Sequence, residues 1–283
     1  MQRVDTHTRS RQRRHPERRW ISFIGIGLFV LVWHWGALRY NPVILPSPYE
    51  TVVALVRLFQ EGHVVTAAYI TGIHALVGFG TATLLGSLLG TIAGSNTIIR
   101  QLIWPVVTIL QGIPPIAWIV LAMLWFGMDG GTPTFTVAAA TLPIVFIGAL
   151  EGTQTVDRAL LEMAHVFRTP RSTLIADIYV PHLLSYLFPV IVAGLGIAWK
   201  VALMSELLAS NSGIGAALGV ARINLDTAAA MAWIAVAVLL MFTFEYLVLH
   251  PLKHYLEPWR HPPTTADISD NRVHHVRRSE PAR

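Results

Sequence analysis

Long stretches without a single charged side chain restrict the fold of this chain more than any other feature. Residues Val64–Ile99 contain no Asp, Glu, Lys or Arg, and residues Gln101–Met128 contain none either. A bilayer core about 30 Å thick is crossed by about 20 predominantly apolar helical residues. Only 13% of the residues are charged, against about 25% in soluble domains. The sequence therefore predicts an all-α polytopic membrane protein.

Six segments are long and apolar enough to be predicted as transmembrane helices, and together they define a membrane domain over residues 20–256. Between the first two, the prolines of Asn41–Pro48 exclude a regular helix. A short surface helix is predicted over Glu50–Gln60, with Ser47 as its N-cap and Pro48 at its first position. The predicted spans are Trp20–Leu38, Val64–Ile99, Gln101–Met128, Thr132–Leu150, Leu183–Leu208 and Thr227–Phe244.

Both ends of the chain are basic. Seven arginines fall within residues 1–20, and five more lie between residues 260 and 283. Because Arg and Lys in short flanks are retained in the cytoplasm, both termini, the turn at Arg100 and the loop over 151–181 are predicted to be cytoplasmic. The segments 1–19 and 257–283 are predicted to be basic cytoplasmic tails, the second either disordered and solvated or regulatory. A nucleic-acid-binding role is not favoured, because the body of the chain cannot be soluble.

No small-residue cleavage site follows the arginine-rich start, so the first apolar segment is predicted to be a retained helix rather than a signal peptide.

Two patterns within the spans bear on helix packing. Gly86, Gly90 and Gly94 recur at every fourth position, a ridge of small residues that predicts close contact with another helix. Gly112-Ile113-Pro114-Pro115 interrupts the third span, and proline breaks or kinks a helix. An interrupted helix at membrane depth is tolerated where it faces protein or a water-filled cavity. The break therefore either lines a translocation path or is a purely structural kink.

The chain lacks the residues that most catalytic and nucleotide-binding motifs require. It contains no cysteine, which excludes disulfides, thiolate metal sites and cysteine nucleophiles. Its two lysines, Lys200 and Lys253, do not follow a glycine, so the G-x-x-x-x-G-K-[ST] phosphate-binding loop is absent. No H-E-x-x-H occurs among the twelve histidines, and no metal site is predicted. An ATP-driven function would need an ATPase on another chain.

Lys200 and Glu206 are the ionisable residues of the fifth span. Charges at membrane depth cost roughly 2.5–3.5 kcal/mol each on insertion scales and usually face a cavity or a partner. Their separation of six positions does not suit a helical ion pair. Either they snorkel toward an interface, or Lys200 places positive charge beside a permeation path and favours anionic solutes.

The polar stretch 155–181 lies between two spans and has readable local structure. Apolar residues at helical spacing predict one short amphipathic helix, and Thr169 and Pro170 are predicted to cap and begin a second helix that Pro181 ends. An amphipathic pair lying on the inner leaflet would show the same pattern. The apolar positions of the first helix are Val156, Leu160, Met163, Ala164 and Phe167.

This stretch resembles the EAA motif of permease subunits of bacterial ABC importers, E-A-A-x-x-x-G followed by nine residues and I-x-L-P. The spacing is complete, and Glu162, Ala164, Ile178 and Pro181 match the motif, whereas Met163, Arg168 and Val180 depart from it. A glycine adopts a left-handed turn freely, but an arginine at that position costs roughly 1 kcal/mol or more. The similarity extends over residues 44–256 and is greatest to the nitrate/sulfonate/taurine branch of these permeases.

The resemblance implies the type I ABC importer permease architecture, with about six spans and a cytoplasmic coupling-helix loop over 155–181. It also implies a homodimer embedded in membrane lipid in the bacterial inner membrane, two ABC ATPase subunits and a periplasmic or lipid-anchored solute-binding protein. ATP and Mg would bind the ATPase, and no cofactor would bind this chain. By matching position, the residues of the translocation path would be Pro114, Pro115, Trp118, Trp199 and Glu206, and the charge of Lys200 adds it to that set.

Other readings of the same residues remain open. Trp199 is equally compatible with a core or membrane-belt position. A stand-alone secondary transporter would also use a broken helix and intramembrane charges, but it would have no need of a loop with EAA spacing. A membrane-embedded enzyme would need clustered His, Asp or Glu at one depth, and the spans offer only Lys200, Glu206 and isolated histidines such as His74.

Overall fold

The computed structural model describes residues 17–244 and residue 246, and the regular elements over these residues are helical. Residues 1–16 and 257–283 of the predicted tails lie outside the described residues, whereas residues 17–19 belong to the first helix. The helices are α1 (Glu17–Ala37), α2 (Pro48–Gln60), α3 (His63–Ser95), α4 (Thr97–Gly112), α5 (Pro115–Phe126), α6 (Gly131–Gln154), α7 (Arg158–Val166), α8 (Arg171–Leu174), a π-helical turn (Ile175–Tyr179), α9 (Val180–Ala209), α10 (Ile214–Ile223) and α11 (Thr227–Phe244).

Four helices over the described residues are long and apolar enough to cross a membrane, and the bent pair α4–α5 makes a fifth if it counts as one span. The four are α3, α6, α11 and the continuous helix Arg171–Ala209. The predicted all-α polytopic fold is therefore confirmed, with four or five of the six predicted spans. The first predicted span coincides with α1, whose described apolar part, Ile24–Ala37, is a shorter helix.

The small-residue ridge on α3 packs closely against a second helix. A Cβ added at Gly94 would stand 2.6 Å from the Cβ of Thr153, and one added at Gly90 would run into the carbonyl oxygen of Phe146. Only glycine allows the two backbones to approach this closely. The prediction that the ridge serves helix packing is confirmed, and its partner is α6.

The third helix of the core, α9, packs on the other side of α6 and runs in the opposite direction. A Cβ at Gly148 would lie 2.7 Å from Val190, and one at Gly152 would lie 2.9 Å from Tyr186. The helices α3 and α6 run in the same direction, since Gly78 faces Val137 and Gly94 faces Thr153. The bundle therefore has a loop end, next to α7, and a far end, where α3 and α6 begin and α9 ends.

Capping side chains determine where the shorter helices α2 and α4 begin. The Ser47 hydroxyl accepts from the backbone N–H of Glu50 at 3.2 Å, and the Glu50 carboxylate accepts from the backbone N–H of Ser47 at 2.8 Å. This capping box confirms the predicted start of α2.

The turn predicted at Arg100 is wrong. The side chain of Asn96 accepts from the N–H groups of Ile98 and Ile99 and caps the start of α4, so Arg100 lies inside a helix.

Candidate functional site

The first half of loop 155–181 is the helix α7. The carboxylate of Asp157 accepts from the N–H of Ala159 at 2.8 Å and caps the helix. Val156 and Ala164 are buried and anchor the segment to the bundle. Leu161 is half-buried, and four larger apolar side chains are exposed: the exposed fractions are 43% for Leu160, 51% for Met163, 77% for Val166 and 76% for Phe167.

The turn after α7 has the left-handed conformation that the EAA glycine would supply. Arg168 has φ 51°. Its N–H donates to the carbonyl of His165 at 3.1 Å, and the N–H of Thr169 donates to the carbonyl of Ala164 at 2.9 Å. These two bonds form a Schellman motif, which usually places glycine at the left-handed residue. Arg168 thus holds the conformation in which an arginine costs roughly 1 kcal/mol or more relative to glycine.

The second half of the loop differs from the sequence prediction. Pro170, not Thr169, stands at the cap position of α8, and no side chain caps that helix. Pro181 does not end a helix; it lies in the first turn of α9, where a missing N–H and a fixed φ are tolerated. The π-helical turn Ile175–Tyr179 joins α8 to α9. The predicted second loop helix is therefore the start of the fifth span.

The residues of the EAA pattern lie along this loop in different environments. Glu162, Met163 and Arg168 are exposed on α7 and its turn, and Ala164 is buried. Ile178 is half-buried in the π-helical turn, and Pro181 is exposed. The loop therefore presents one helix, α7, at the loop end of the bundle.

The predicted break in the third span is confirmed. The helices α4 and α5 meet at an angle of 96°, and the break falls between Gly112 and Pro115. Pro114 stands at the cap position and Pro115 at the first position of α5, and both side chains are exposed. Trp118 is half-buried, lies edge-on to Phe135 with centroids 6.3 Å apart, and has a buried Nε1 without a hydrogen-bond partner among the described residues.

Trp199 and Lys200 are adjacent on α9, about 100° apart around the helix axis, and differ in exposure. Trp199 is 5% exposed and stacks on Phe244 with centroids 6.1 Å apart; its Nε1 is buried and unpartnered among the described residues. Lys200 is exposed on a stripe of α9 whose other members are uncharged. Those members are Pro189, Ala193, Ile197, Met204 and Leu208.

Glu206 lies elsewhere, in a fully enclosed polar cluster at the far end. Its side chain is 0% exposed. One carboxylate oxygen, Oε1, lies 2.7 Å from Nδ1 of His74. The other, Oε2, accepts from the Thr71 hydroxyl at 2.7 Å and from the N–H of Gly215 at 3.0 Å. No ion pair joins Glu206 to Lys200 among the described residues, as their spacing predicts.

Sequence reasoning missed this cluster and the helix α10 that it contacts. Thr71 and His74 are more than 130 positions from Glu206 in the chain, and no local spacing relates them. The only available signal was physical: a carboxylate at membrane depth requires a partner, and His74 is the one histidine of the predicted span Val64–Ile99. The segment 209–226 connects the fifth and sixth predicted spans and was not predicted to contain a helix, but Ile214–Ile223 is helical.

This arrangement of packed apolar helices, a helix broken at membrane depth and an exposed amphipathic helix on a loop defines a transport permease. Residues 82–261 match the family of binding-protein-dependent transport system inner membrane components. The chain belongs to this family and is a multi-pass inner-membrane permease component of an ABC transporter.

Curated relatives agree with the family assignment. The chain is 30% identical over 207 residues to a probable ABC transporter permease protein of Brucella melitensis, covering 73% of this chain and 82% of the relative. It is 26% identical over 263 residues to the taurine transport system permease protein of Escherichia coli, covering 89% and 95%. It is 30% identical over 211 residues to the putative aliphatic sulfonates transport permease protein of Escherichia coli, covering 71% and 78%.

Proposed function

We propose that this chain is the membrane subunit of an ATP-driven importer and that α7 is the helix through which a separate ATPase drives it. The exposed apolar face of α7 carries the proposal. Val166 and Phe167 are more than three-quarters exposed, at the end of the bundle where the chain's charged loop predicts cytoplasm. Exposed apolar side chains gathered on one short helix mark a protein-binding surface, and a helix laid into a groove is a common recognition mode.

The complex would contain two copies of this chain, two ATPase subunits that bind ATP and Mg, and a solute-binding protein outside the membrane. Both termini would be cytoplasmic, so the loop end of the bundle would face the ATPase and the far end would face the binding protein. Nucleotide-driven closure of the ATPase pair would bias the two copies between inward-facing and outward-facing states. The chain itself would carry out no chemistry.

Co-purification with the partner ATPase tests the role of α7. Phe167→Asp and Glu162→Arg both change exposed side chains of the loop and should release the ATPase from the purified permease. Phe59→Asp is the matched control, because Phe59 is 52% exposed on α2 at the far end; this variant should retain the ATPase. Full ATPase retention by Phe167→Asp and Glu162→Arg would refute the assignment of α7.

We propose further that the path runs past the break between α4 and α5 and along the exposed stripe of α9. Pro114 and Pro115 are exposed at the break, and Lys200 is the charged residue of the stripe. Trp118, beside the break, has an indole N–H without a partner among the described residues. Trp199, one position before Lys200 on α9, has a second such N–H. Glu206 was predicted to line the path as well, but its complete burial favours the different role developed below.

The proposed solute is a small anion such as an alkanesulfonate or nitrate, or taurine, a zwitterion that carries the same sulfonate group. Two relatives carry taurine and aliphatic sulfonates in their names, and Lys200 supplies a single positive charge suited to such solutes. Uptake of labelled taurine, an alkanesulfonate and nitrate into proteoliposomes that contain the complete complex tests the solute class. Uptake of a neutral solute that carries no sulfonate or nitrate group, together with no uptake of taurine, the alkanesulfonate or nitrate, would refute it.

A further inference from the structure

Two polar atoms of the cluster at Glu206, the Thr71 hydroxyl oxygen and Oε2 of Glu206, accept from the first N–H groups of α10, and His74 contacts the other carboxylate oxygen. The single hydroxyl hydrogen of Thr71 goes to Oε2 of Glu206, and the Thr71 oxygen in turn accepts from the N–H of Ile214 at 2.9 Å. Gly215 donates its N–H to the same carboxylate oxygen. We name Thr71, His74 and Glu206 the far-end cluster.

The helix α10 depends on this cluster for its first turn. The first N–H groups of a helix have no partner within the helix, and Gly213, at the cap position of α10, offers no side chain to accept them. Two other helices supply the acceptors instead. The Thr71 hydroxyl oxygen on α3 accepts from the N–H of Ile214, and the Glu206 carboxylate on α9 accepts from the N–H of Gly215. The start of α10 is thereby fixed to two spans that lie far apart in the chain.

The backbone around Gly213 is fitted to the carboxylate. Gly213 has φ 98°, and a Cβ added there would run into the carboxylate of Glu206. A Cβ added at Gly215 would lie 2.6 Å from the Cβ of Glu206. A side chain at Gly213 or Gly215 would therefore collide with Glu206. The close contact of Glu206 with the start of α10 depends on both glycines.

The position of α10 decides the shape of the far end. One face of α10 forms a wall of a cavity of about 480 Å³ that α2, α3 and α11 complete. The helix is bounded by left-handed residues, Gly213 before it and Leu225, with φ 56°, after it. Residues at the ends of a helix can act as hinges, because a few such positions absorb the change in φ and ψ when the helix moves.

We propose that Thr71, His74 and Glu206 are positioning residues that hold α10 against the bundle, and that transport requires α10 in this position. None of the three would touch the solute. The second half of the proposal rests on the transport function proposed above, whereas the first half concerns the fold alone. The two halves are therefore tested by different measurements.

Cysteine labelling tests whether the cluster holds α10. The chain has no cysteine of its own, so one introduced cysteine reports one position. Ala216 is 7% exposed on α10, whereas Val220 is 58% exposed on the same helix. In purified full-length permease, Thr71→Val should raise the labelling rate of Ala216→Cys by a water-soluble maleimide about tenfold and leave that of Val220→Cys within twofold. An unchanged rate at Ala216→Cys would overturn the proposal.

A matched substitution on the same helix separates the cluster from a general effect of losing a threonine. The Thr81 hydroxyl is exposed and donates only to the carbonyl of Val77 at 2.8 Å. Thr81→Val should therefore leave labelling of Ala216→Cys unchanged, and Thr71→Ser, which keeps the hydroxyl, should restore the low rate. Failure of Thr71→Ser to restore it would overturn the hydrogen-bond argument.

A second pair of variants carries the test if Thr71→Val does not fold. Gly213→Ala drives a Cβ into the Glu206 carboxylate at φ 98°, whereas Gly62→Ala meets open space at φ 75°. Backbone strain is common to both variants, so only displacement of Glu206 distinguishes them. Gly213→Ala should raise labelling of Ala216→Cys about tenfold over Gly62→Ala, and equal rates would overturn the proposal.

Uptake of labelled taurine by the reconstituted complex tests the dependence of transport on α10. Thr71→Val should lower the maximal rate at least fivefold and leave the half-saturating concentration within twofold, because the solute contacts are untouched. A raised labelling rate with an unchanged maximal rate would overturn the functional half. The labelling result stands without any transport, so failure of the proposed transport function is distinguishable from failure of the cluster.

Discussion

Replacing Arg168 with glycine should stabilise the turn after α7. Arg168 holds φ 51° within two Schellman hydrogen bonds. A left-handed residue other than glycine costs roughly 1–2 kcal/mol, and glycine loses more chain entropy on ordering, roughly 0.5–1 kcal/mol. The net gain for Arg168→Gly is therefore about 0.5–1 kcal/mol in the free energy of opening the turn, which corresponds to about two- to fivefold in an equilibrium constant.

Hydrogen exchange of the Thr169 amide measures this free energy directly. That N–H donates to the carbonyl of Ala164 at 2.9 Å, and it exchanges when the turn opens locally. In the full-length permease without ATPase, Arg168→Gly should slow its exchange about two- to fivefold. Arg168→Asn should fall between glycine and arginine, because asparagine tolerates the left-handed region better than most residues. Arg168→Val should exchange faster than the parent.

The control removes the same charge three positions away. Arg171 is exposed at the first position of α8, and glycine in a helix costs up to about 1 kcal/mol relative to alanine. Arg171→Gly should leave the exchange of the Thr169 amide unchanged or faster. Equal slowing by Arg168→Gly and Arg171→Gly would mean that charge, not backbone strain, controls the turn, and the reasoning would be refuted.

Three further predictions concern packing, capping and the path. Gly90→Ala should destabilise the chain by about 1–3 kcal/mol through overpacking of α3 on α6, seen as a lower melting temperature in detergent, whereas Gly80→Ala, with no atom within 4 Å of the added Cβ, should not. Asp226→Ala removes both its hydrogen bond to the N–H of Ala229 at the start of α11 and the exposed ion pair with Arg57 at 3.3 Å. Arg57→Ala removes that ion pair and an exposed contact with Glu61 at 4.0 Å but keeps the cap. Asp226→Ala should therefore cost about 1 kcal/mol more than Arg57→Ala, and equal costs would refute the capping role. Lys200→Met should reduce taurine uptake at least fivefold with ATPase co-purification unchanged, and Lys200→Arg should retain uptake; unchanged uptake in Lys200→Met would remove the residue from the path.

The elements that the sequence predicted well are those with local signals. The start of α2 follows from Ser47 and Glu50, three positions apart, and α11 coincides with the predicted span Thr227–Phe244. The break before Pro115 follows from the proline ring itself. At α2 and at the break, the residues that decide the structure lie within one helical turn of each other, and α11 follows from one continuous apolar run. The local sequence alone therefore carries the information.

The features that were missed depend on contacts between distant segments or on side-chain geometry. The turn is predicted at Arg100 from the charge of that residue, but the side-chain amide of Asn96, which caps α4, sets the position of the break between α3 and α4. The helix α10 is short and flanked by glycine, and its first N–H groups are satisfied by Thr71 and Glu206. No local pattern records a hydrogen bond across 143 positions. The environment of Glu206 therefore needed the structure.

The continuity of α8, the π-helical turn and α9 has a mechanical consequence. The helix Arg171–Ala209 is unbroken by any sharp bend, and the distance from Arg171 to Glu206 along it is about 52 Å at a rise of 1.5 Å per residue. Such a rod acts as a lever: a tilt of about 10° about its α8 end moves its other end by about 9 Å. A tilt of about 10° at the loop end is thus converted into a movement close to the width of a helix at the far end.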